Sequence, residues 1–180
     1  MTGTTLHIPT LETQRLTLRA PRWSDFDAYA EFRGDAARTE FLGGPFSRMD
    51  AFFQLSELIG HWALRGYGRF MIADRDTDAP LGVAGPFYPE GWPEPELAWS
   101  VFAGAEGRGI AQEAVRAARA WTYETQGWTT AISLIAPANA RSAALATRLG
   151  ARPTGATFTD PDSGKTAEIW RHPSPRELAA

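Results

Sequence analysis

The residues best equipped for chemistry crowd into one stretch, VFAGAEGRGIAQEAVRAARAW, from Val101 to Trp121. An apolar, strand-like run gives way to Gly104, Gly107 and Gly109, with Glu106 and Arg108 among them, and then to a helical pattern. Glycine weakens a helix or strand by roughly 0.5–1 kcal/mol relative to alanine, so this junction needs either backbone freedom or missing side chains. Three phosphate-binding arrangements can be compared with it. A Walker loop requires Lys followed by Ser or Thr after its second glycine, and that pair is missing. A dinucleotide fingerprint requires a third glycine where Gln112 stands, and a different order of elements. The third arrangement is a bare helix N-terminus, whose first amides, over residues 107–111, take an anion. A tight turn in an ordinary α/β protein accounts for the same glycines equally well. Glu106 could cap those amides or repel an incoming phosphate; Arg108 could offset its charge or touch the phosphate itself.

The elements that position this junction follow from periodicity. RLTLRAP alternates Leu16 and Leu18 with polar neighbours, a half-buried strand. Ser24 stands where a cap would precede the short helix DFDAYAEFR. Ser47 and Asp50 approximate a capping box before a helix carrying Phe52, Phe53, Leu55, Leu58, Ile59 and Trp62, ending near Gly66. GRFMIADRD and PLGVAGPFYP read as a hairpin, PEGWPEPE as a proline-rich loop and LAWSVFA as a strand. The next helix runs from Ile110 to Gln126, with Ile110, Ala114, Ala117 and Trp121 on one face and Gly127 as its stop. WTTAISLIA is a strand, Asn139 caps a helix closed by Gly150, and RPTGATF with TAEIWRH forms a last hairpin around TDPDSG. The strand–helix–strand step over 95–136 makes its two strands parallel or nearly so, while the hairpins are antiparallel. The expected class is α/β (α+β): a mixed sheet with helices on both faces.

Length and composition bound the rest. At 180 residues the chain fits one domain, residues 1–180, with a core over about 11–171 and a loose tail from Pro173. The absence of cysteine excludes disulfides, zinc–thiolate sites and a thiol nucleophile. The start, MTGTTLHIPT, lacks the basic and apolar regions of a secretory signal, and no apolar run approaches the ~20 residues that span a bilayer. Cytoplasmic location and no membrane partner are therefore expected. A net charge of −3 argues against a nucleic-acid partner. His7 and His172 lie near the termini, His61 reads as a surface or packing residue, and no pair has metal-ligand spacing, so no metal is expected. Seven tryptophans leave room for a homodimer surface.

The stretch ELAWSVFAGAEGRGIAQEA, Glu96 to Ala114, resembles the acetyl-CoA-binding segment of the GNAT superfamily of N-acyltransferases. It is most similar to the branch that includes the ribosomal-protein alanine acetyltransferases. LETQRLTLRAPRWSDFDAYAEF resembles that branch's opening strand and helix, and PANARSAALATRLGAR its Asn-x-x-Ser turn and following helix. The resemblance covers about residues 11–171 and implies a mostly antiparallel seven-stranded sheet with two splayed central parallel strands. Three positions depart from the pattern. Glu106 replaces the Gln or Arg that opens the phosphate loop Glu106, Gly107, Arg108, Gly109, Ile110, Ala111. Ala146 stands where many members carry a tyrosine acid, and Ala151 replaces an aromatic residue.

The resemblance implies acetyl-CoA as cosubstrate, its pantetheine arm lying in the wedge against main-chain groups of Ser100, Val101 and Phe102. The amide of Val101 would hold the acyl oxygen, with Asn139 at the wedge mouth or simply capping its helix. Direct attack on a thioester needs a neutral amine, and an alkylammonium has a pKa of about 10. A carboxylate base, acting directly or through water, would then be Glu96 or Glu168, with Glu94 behind them. Each has a plain structural alternative, an exposed strand edge for Glu94 and Glu96 and a paired strand residue for Glu168. Ser142 would hydrogen-bond the departing sulfur, or be an ordinary first-turn serine. Phe87, Tyr88 and Trp92 would wall the acceptor site, or merely cover the core. The implied activity is acetyl transfer to a primary amine, on a peptide or protein N-terminus or a small molecule. A non-catalytic acyl-CoA-binding module of the same fold is the alternative, and a nucleotide-dependent enzyme using the glycine loop is a second.

Overall fold

A computed structural model describes residues 6–161 and 163–180. Met1–Thr5, the start of the stretch read for a secretory signal, and Asp162, in the turn of the last expected hairpin, lie outside the described residues. The strands are β1 (Leu11–Glu12), β2 (Leu16–Arg19), β3 (Phe70–Asp74), β4 (Pro80–Phe87), β5 (Glu96–Val101), β6 (Ile132–Ile135), β7 (Arg152–Thr159) and β8 (Thr166–Arg171). The helices are α1 (Phe26–Gly34), α2 (Ala36–Thr39), α3 (Arg48–Arg65), α4 (Ile110–Gln126), α5 (Ala140–Arg148) and α6 (Pro175–Ala179). The strands form one sheet in the order β1-β2-β3-β4-β5-β6-β8-β7, antiparallel everywhere except between β5 and β6. The sheet has eight strands rather than seven because β1 adds a two-residue edge, Leu11 opposite Leu18, too short to show a period.

Strand alternation builds a layer on each face. Phe70 and Ile72 of β3 join Leu16, Leu18, Ile110, Ala114 and Ala118 beneath α4. Met71 between them turns the other way, to Phe26, Tyr29, Phe32, Leu55 and Leu58 of α1 and α3. Burying each large apolar side chain contributes roughly 1.5–3 kcal/mol relative to leaving it exposed. The expected inward face of α4 is present: Ile110 and Ala114 are buried, and Ala117 and Trp121 pack on the same cluster.

Several local expectations change. The capping box at Ser47 forms with both hydrogen bonds. Ser24 does not cap α1; it lies in a 3₁₀ turn, Trp23–Asp25, and the deciding side chain is buried Asp25. Its carboxylate accepts from the Arg22 amide (2.8 Å) and pairs with the Arg19 guanidinium (2.8 and 2.9 Å), fastening α1 to β2. β6 is only four residues, the preceding WTT being irregular. The tail from Pro173 is not loose. Tyr123 Oη donates to the Pro173 carbonyl (3.0 Å), and Ser174 with Glu177 caps α6.

Between β5 and β6 the parallel pairing holds at one position, Glu96 opposite Ile132. Beyond it side chains take over. Ser133 Oγ donates to the Leu97 carbonyl (2.6 Å), and the Leu134 amide donates to Glu96 Oε1 (3.0 Å). The strands then part, opening the wedge that the resemblance implied.

Candidate active site

Two cavities open from the wedge, one of about 680 Å³ and one of about 550 Å³. The larger is walled by α1, the β4–β5 end and the β7–β8 hairpin; the smaller lies between α2, the start of α4 and α5. They share Phe41, Leu42, Trp99, Ser100, Asn139 and Ser142, so a ligand in each would meet across the mouth of the wedge.

The larger cavity holds the buried carboxylate of Glu96, 7% exposed. Glu96 is thus an interior residue of a central strand, not an exposed edge. Trp92 Nε1 donates to Oε2 (2.8 Å) and the Leu134 amide to Oε1 (3.0 Å), fixing both oxygens. Burial pushes its pKa above the ordinary carboxylate range; the two hydrogen bonds and the charge of Arg69 pull back against it. A raised, oriented carboxylate suits proton abstraction.

The other carboxylates separate from it. Glu168 lines neither cavity: its neighbours Thr166 and Ala167 do, while Glu168 accepts from Trp170 Nε1 (3.1 Å). Glu94 is held by Arg171 through two bonds (2.7 and 2.9 Å), which lower its pKa, and also lies outside both cavities. Of the loop aromatics, Phe87 and Trp92 wall the larger cavity, their ring centroids 5.8 Å apart. Tyr88 does not; its ring sits under the Arg65 guanidinium. The loop is pinned by His61, whose Nδ1 faces the Tyr67 carbonyl (2.7 Å) while Nε2 accepts from the Tyr88 amide (3.0 Å). That makes it a neutral strut, its pKa lowered chiefly by burial.

The smaller cavity meets the start of α4. Gly104, Gly107 and Gly109 all have left-handed φ (+76°, +71°, +78°), which side-chain-bearing residues rarely adopt. A Cβ at Gly104 or Gly107 would meet nothing within 4 Å, so backbone conformation, not packing, selects glycine there. Gly109 is the N-cap residue of α4, and no side chain among the described residues caps the helix. Glu106 does not cap those amides: its carboxylate reaches Arg38 of α2 (2.6 Å) and Arg141 of α5 (3.5 Å) across the cavity rim. Arg108 does not line the cavity and folds back on the Gly104 carbonyl (3.2 Å). Ile110, Ala111 and Gly107 do line it.

Antiparallel alternation decides which main-chain groups of β5 face the wedge. The Phe102 amide donates to the Leu81 carbonyl (2.8 Å), and the Ser100 carbonyl crowds Gly82. Ser100 and Phe102 therefore bond toward β4, while Trp99 and Val101 turn their polar groups toward the wedge. Phe102 also buries its ring on the opposite face, 5.1 Å from Phe32. The Phe102 amide is thus already engaged within the sheet, while Ser100 lines both cavities. Asn139 caps α5, its Oδ1 accepting from the Ser142 amide (3.1 Å), and both residues line both cavities. Ala146 is buried against Ile135 and Ala151, so the tyrosine-free position is filled by core.

Comparison with known proteins decides the family. The model of the acetyltransferase (GNAT) domain matches residues 15–152. The chain belongs to the GNAT acetyltransferase family. An acetyltransferase from Agrobacterium tumefaciens is 34% identical, with a TM-score of 0.81 over 96% of this chain and 98% of its own. The ribosomal-protein-S5-alanine acetyltransferase of Vibrio fischeri shares 16% identity, with a TM-score of 0.68 over 94% and 99%. Spermidine N-acetyltransferase from Vibrio cholerae, solved with CoA and spermine, shares 15%, with a TM-score of 0.72 over 93% and 100%. This GNAT chain is accordingly an N-acetyltransferase. No helix among the described residues is long and apolar enough to cross a membrane.

Within the GNAT frame, five side chains escaped the motifs. Arg15 reaches the α4 turn from just before β2, bonding the Arg108 carbonyl (3.0 Å) and Glu113 (2.7 Å). Arg38 joins Glu106 at the rim of the smaller cavity, and Arg33 and Arg69 line the larger one. His172, expected to be a bystander, lies buried with Nε2 2.9 Å from Ser133 Oγ, closing the base of the wedge. Burial and Arg119 lower its pKa to about 3. None carries a sequence signal, since each acts through residues distant in the chain.

Proposed function

We propose that this GNAT chain moves an acetyl group from acetyl-CoA directly to a primary amine while both are bound. The observation that carries this reading is the pair of cavities meeting at Ser100, Asn139 and Ser142, one bordered by an uncapped helix N-terminus and the other by buried Glu96. Acetyl-CoA, when bound, supplies the activated acyl carbon. The chain's residues do the rest.

The amides over 107–111 and the α4 dipole hold the diphosphate, with Gly107, Gly109, Ile110 and Ala111 leaving room for it. The Val101 amide, turned into the wedge, holds the acyl oxygen as negative charge builds on it; one such donor is typically worth about 2.7–4 kcal/mol. Glu96, directly or through a water, takes the proton from the incoming ammonium. The amine nitrogen then bonds to the acyl carbon as the carbon–sulfur bond breaks, its second proton passes directly or through a water to the leaving sulfur to give the free thiol, and Ser142 Oγ donates a hydrogen bond to that sulfur as it departs. Phe87 and Trp92 wall the acceptor. A small-molecule amine or a peptide N-terminus fits this chemistry.

The test is release of free thiol from acetyl-CoA with a panel of amines. Amine-dependent thiol release with matching N-acetylated product is the expected result. CoA binding without turnover on any amine would favour the non-catalytic module instead.

A further inference from the structure

The larger cavity carries a feature that amine chemistry alone does not require. Arg69, immediately before β3, lays its guanidinium 4.2 Å from the Phe87 ring centroid. Its backbone is locked: Trp62 Nε1 donates to its carbonyl (3.2 Å), and Gly85 of β4 approaches so closely that a Cβ there would sit 3.1 Å from Arg69 Cα. Yet the charge it presents is poorly matched. Among the described residues the one carboxylate in ion-pair range is that of Glu57, at 3.8 Å; the charge of Arg69 is also felt at Glu96, and its buried Nε has no hydrogen-bond partner. Arg33 lines the same cavity, stacked 4.2 Å from the Phe46 centroid and bonded to Gln54, with no carboxylate in ion-pair range among the described residues. Two guanidinium groups on one cavity wall, neither hydrogen-bonded to a carboxylate among the described residues, favour an anionic ligand group there. Arginine's planar fork suits a carboxylate, which it takes with two parallel hydrogen bonds.

The aromatic floor connects this cation to the buried carboxylate. Arg69 stacks on Phe87, Phe87 meets Trp92 edge-on, and Trp92 Nε1 holds Glu96. We infer that the acceptor is an amino acid-like molecule, its amine directed to Glu96 and its carboxylate to Arg69, with Arg33 adding to the attraction. Spermidine brings no carboxylate for either arginine, although Glu40, Glu57 and Asp160 also line the cavity. The inference rests on the proposed amine acetylation at this site.

The experiment compares acids with their own amides. Glycine, L-alanine, L-phenylalanine and β-alanine, the α-amide of each, and spermidine are offered with acetyl-CoA. For at least one pair kcat/KM for the acid should exceed that for the amide by tenfold or more, with spermidine poorest. Arg69→Met should raise KM for that acid at least tenfold more than it raises KM for the amide, and Arg69→Lys should recover part of the loss. Amides or spermidine matching the acids, or Arg69→Met affecting acid and amide equally, overturns the inference. If no amine in the panel is acetylated, the enzymatic reading fails for these acceptors, and the carboxylate site is judged by binding alone. N-acetyl-L-phenylalanine should then bind the CoA-saturated protein at least tenfold more tightly than its amide in calorimetry, a preference abolished by Arg69→Met. Equal binding, or none, overturns it.

Discussion

The two cavities are built from different materials. The smaller meets a surface of backbone: left-handed glycines, an uncapped helix end, the small Ala111, and Ile110, whose side chain is buried in the core. The larger is made of side chains drawn from across the chain, with Arg33 from α1, Arg69 from the edge of β3, Phe87 from β4, and Trp92 and Glu96 from the loop and strand beyond. A backbone site tolerates little change of conformation, whereas a side-chain site can be retuned residue by residue. The common cosubstrate is thus proposed for the first region, and the choice of acceptor for the second.

Glu96→Gln should separate the regions most sharply. Turnover is expected to fall by about 10²–10⁴, the usual contribution of general acid–base catalysis, with CoA affinity unchanged. In the parent protein kcat/KM should rise with pH through an ionisation above the ordinary carboxylate range, because only the deprotonated Glu96 accepts a proton; the variant should lose that limb. A variant that also weakens CoA would merge the two regions.

Gly109→Asp makes the opposite cut. A side chain at φ +78° strains the turn, and its charge opposes the diphosphate. CoA affinity measured by calorimetry should drop by about 100-fold, roughly 2.7 kcal/mol. Unchanged affinity in the folded variant would remove the phosphate role from this turn.

Stability against pH tests the base of the wedge, which both regions share. His172 has a folded pKa of about 3, against about 6.5 when unfolded. Above pH 6.5 both states are neutral and nothing is lost. As pH falls from 6.5 toward 3 the unfolded chain takes up a proton that the folded one refuses, removing about 1.4 kcal/mol per pH unit. His61, also lowered, acts in the same direction. Chemical denaturation between pH 8 and pH 5 should show this slope, and His172→Gln should flatten it. The smallest effect is expected at the seam, where Ser142→Ala should lower kcat a few-fold, about 1 kcal/mol for one lost hydrogen bond, and leave both affinities alone. An equal loss in KM would make Ser142 a binding residue instead.

How much of this was legible from the chain follows the same division. The bounds of α4 were readable because an apolar stripe ends at Gly109 and Gly127, both left-handed in the structure. The hairpin of β3 and β4 and the capping of α3 and α5 were readable for similar local reasons. What failed depended on partners far away. Asp25 outcompeted Ser24 because Arg19 offered it a buried ion pair. Glu168 and Tyr88 lay near the right place in sequence, but strand alternation and the His61 strut turned them out of the cavity. Arg69 had no motif to announce it, since its meaning comes from Phe87 lying beneath it.

The most direct test of the account is a crystal structure of the protein with CoA bound. It should place the diphosphate oxygens within about 2.7–3.2 Å of amide nitrogens among residues 107–111, with the thiol end between Val101 and Ser142 and beside the Glu96 cavity. A diphosphate bound away from the start of α4, or a thiol end remote from Glu96, would contradict it.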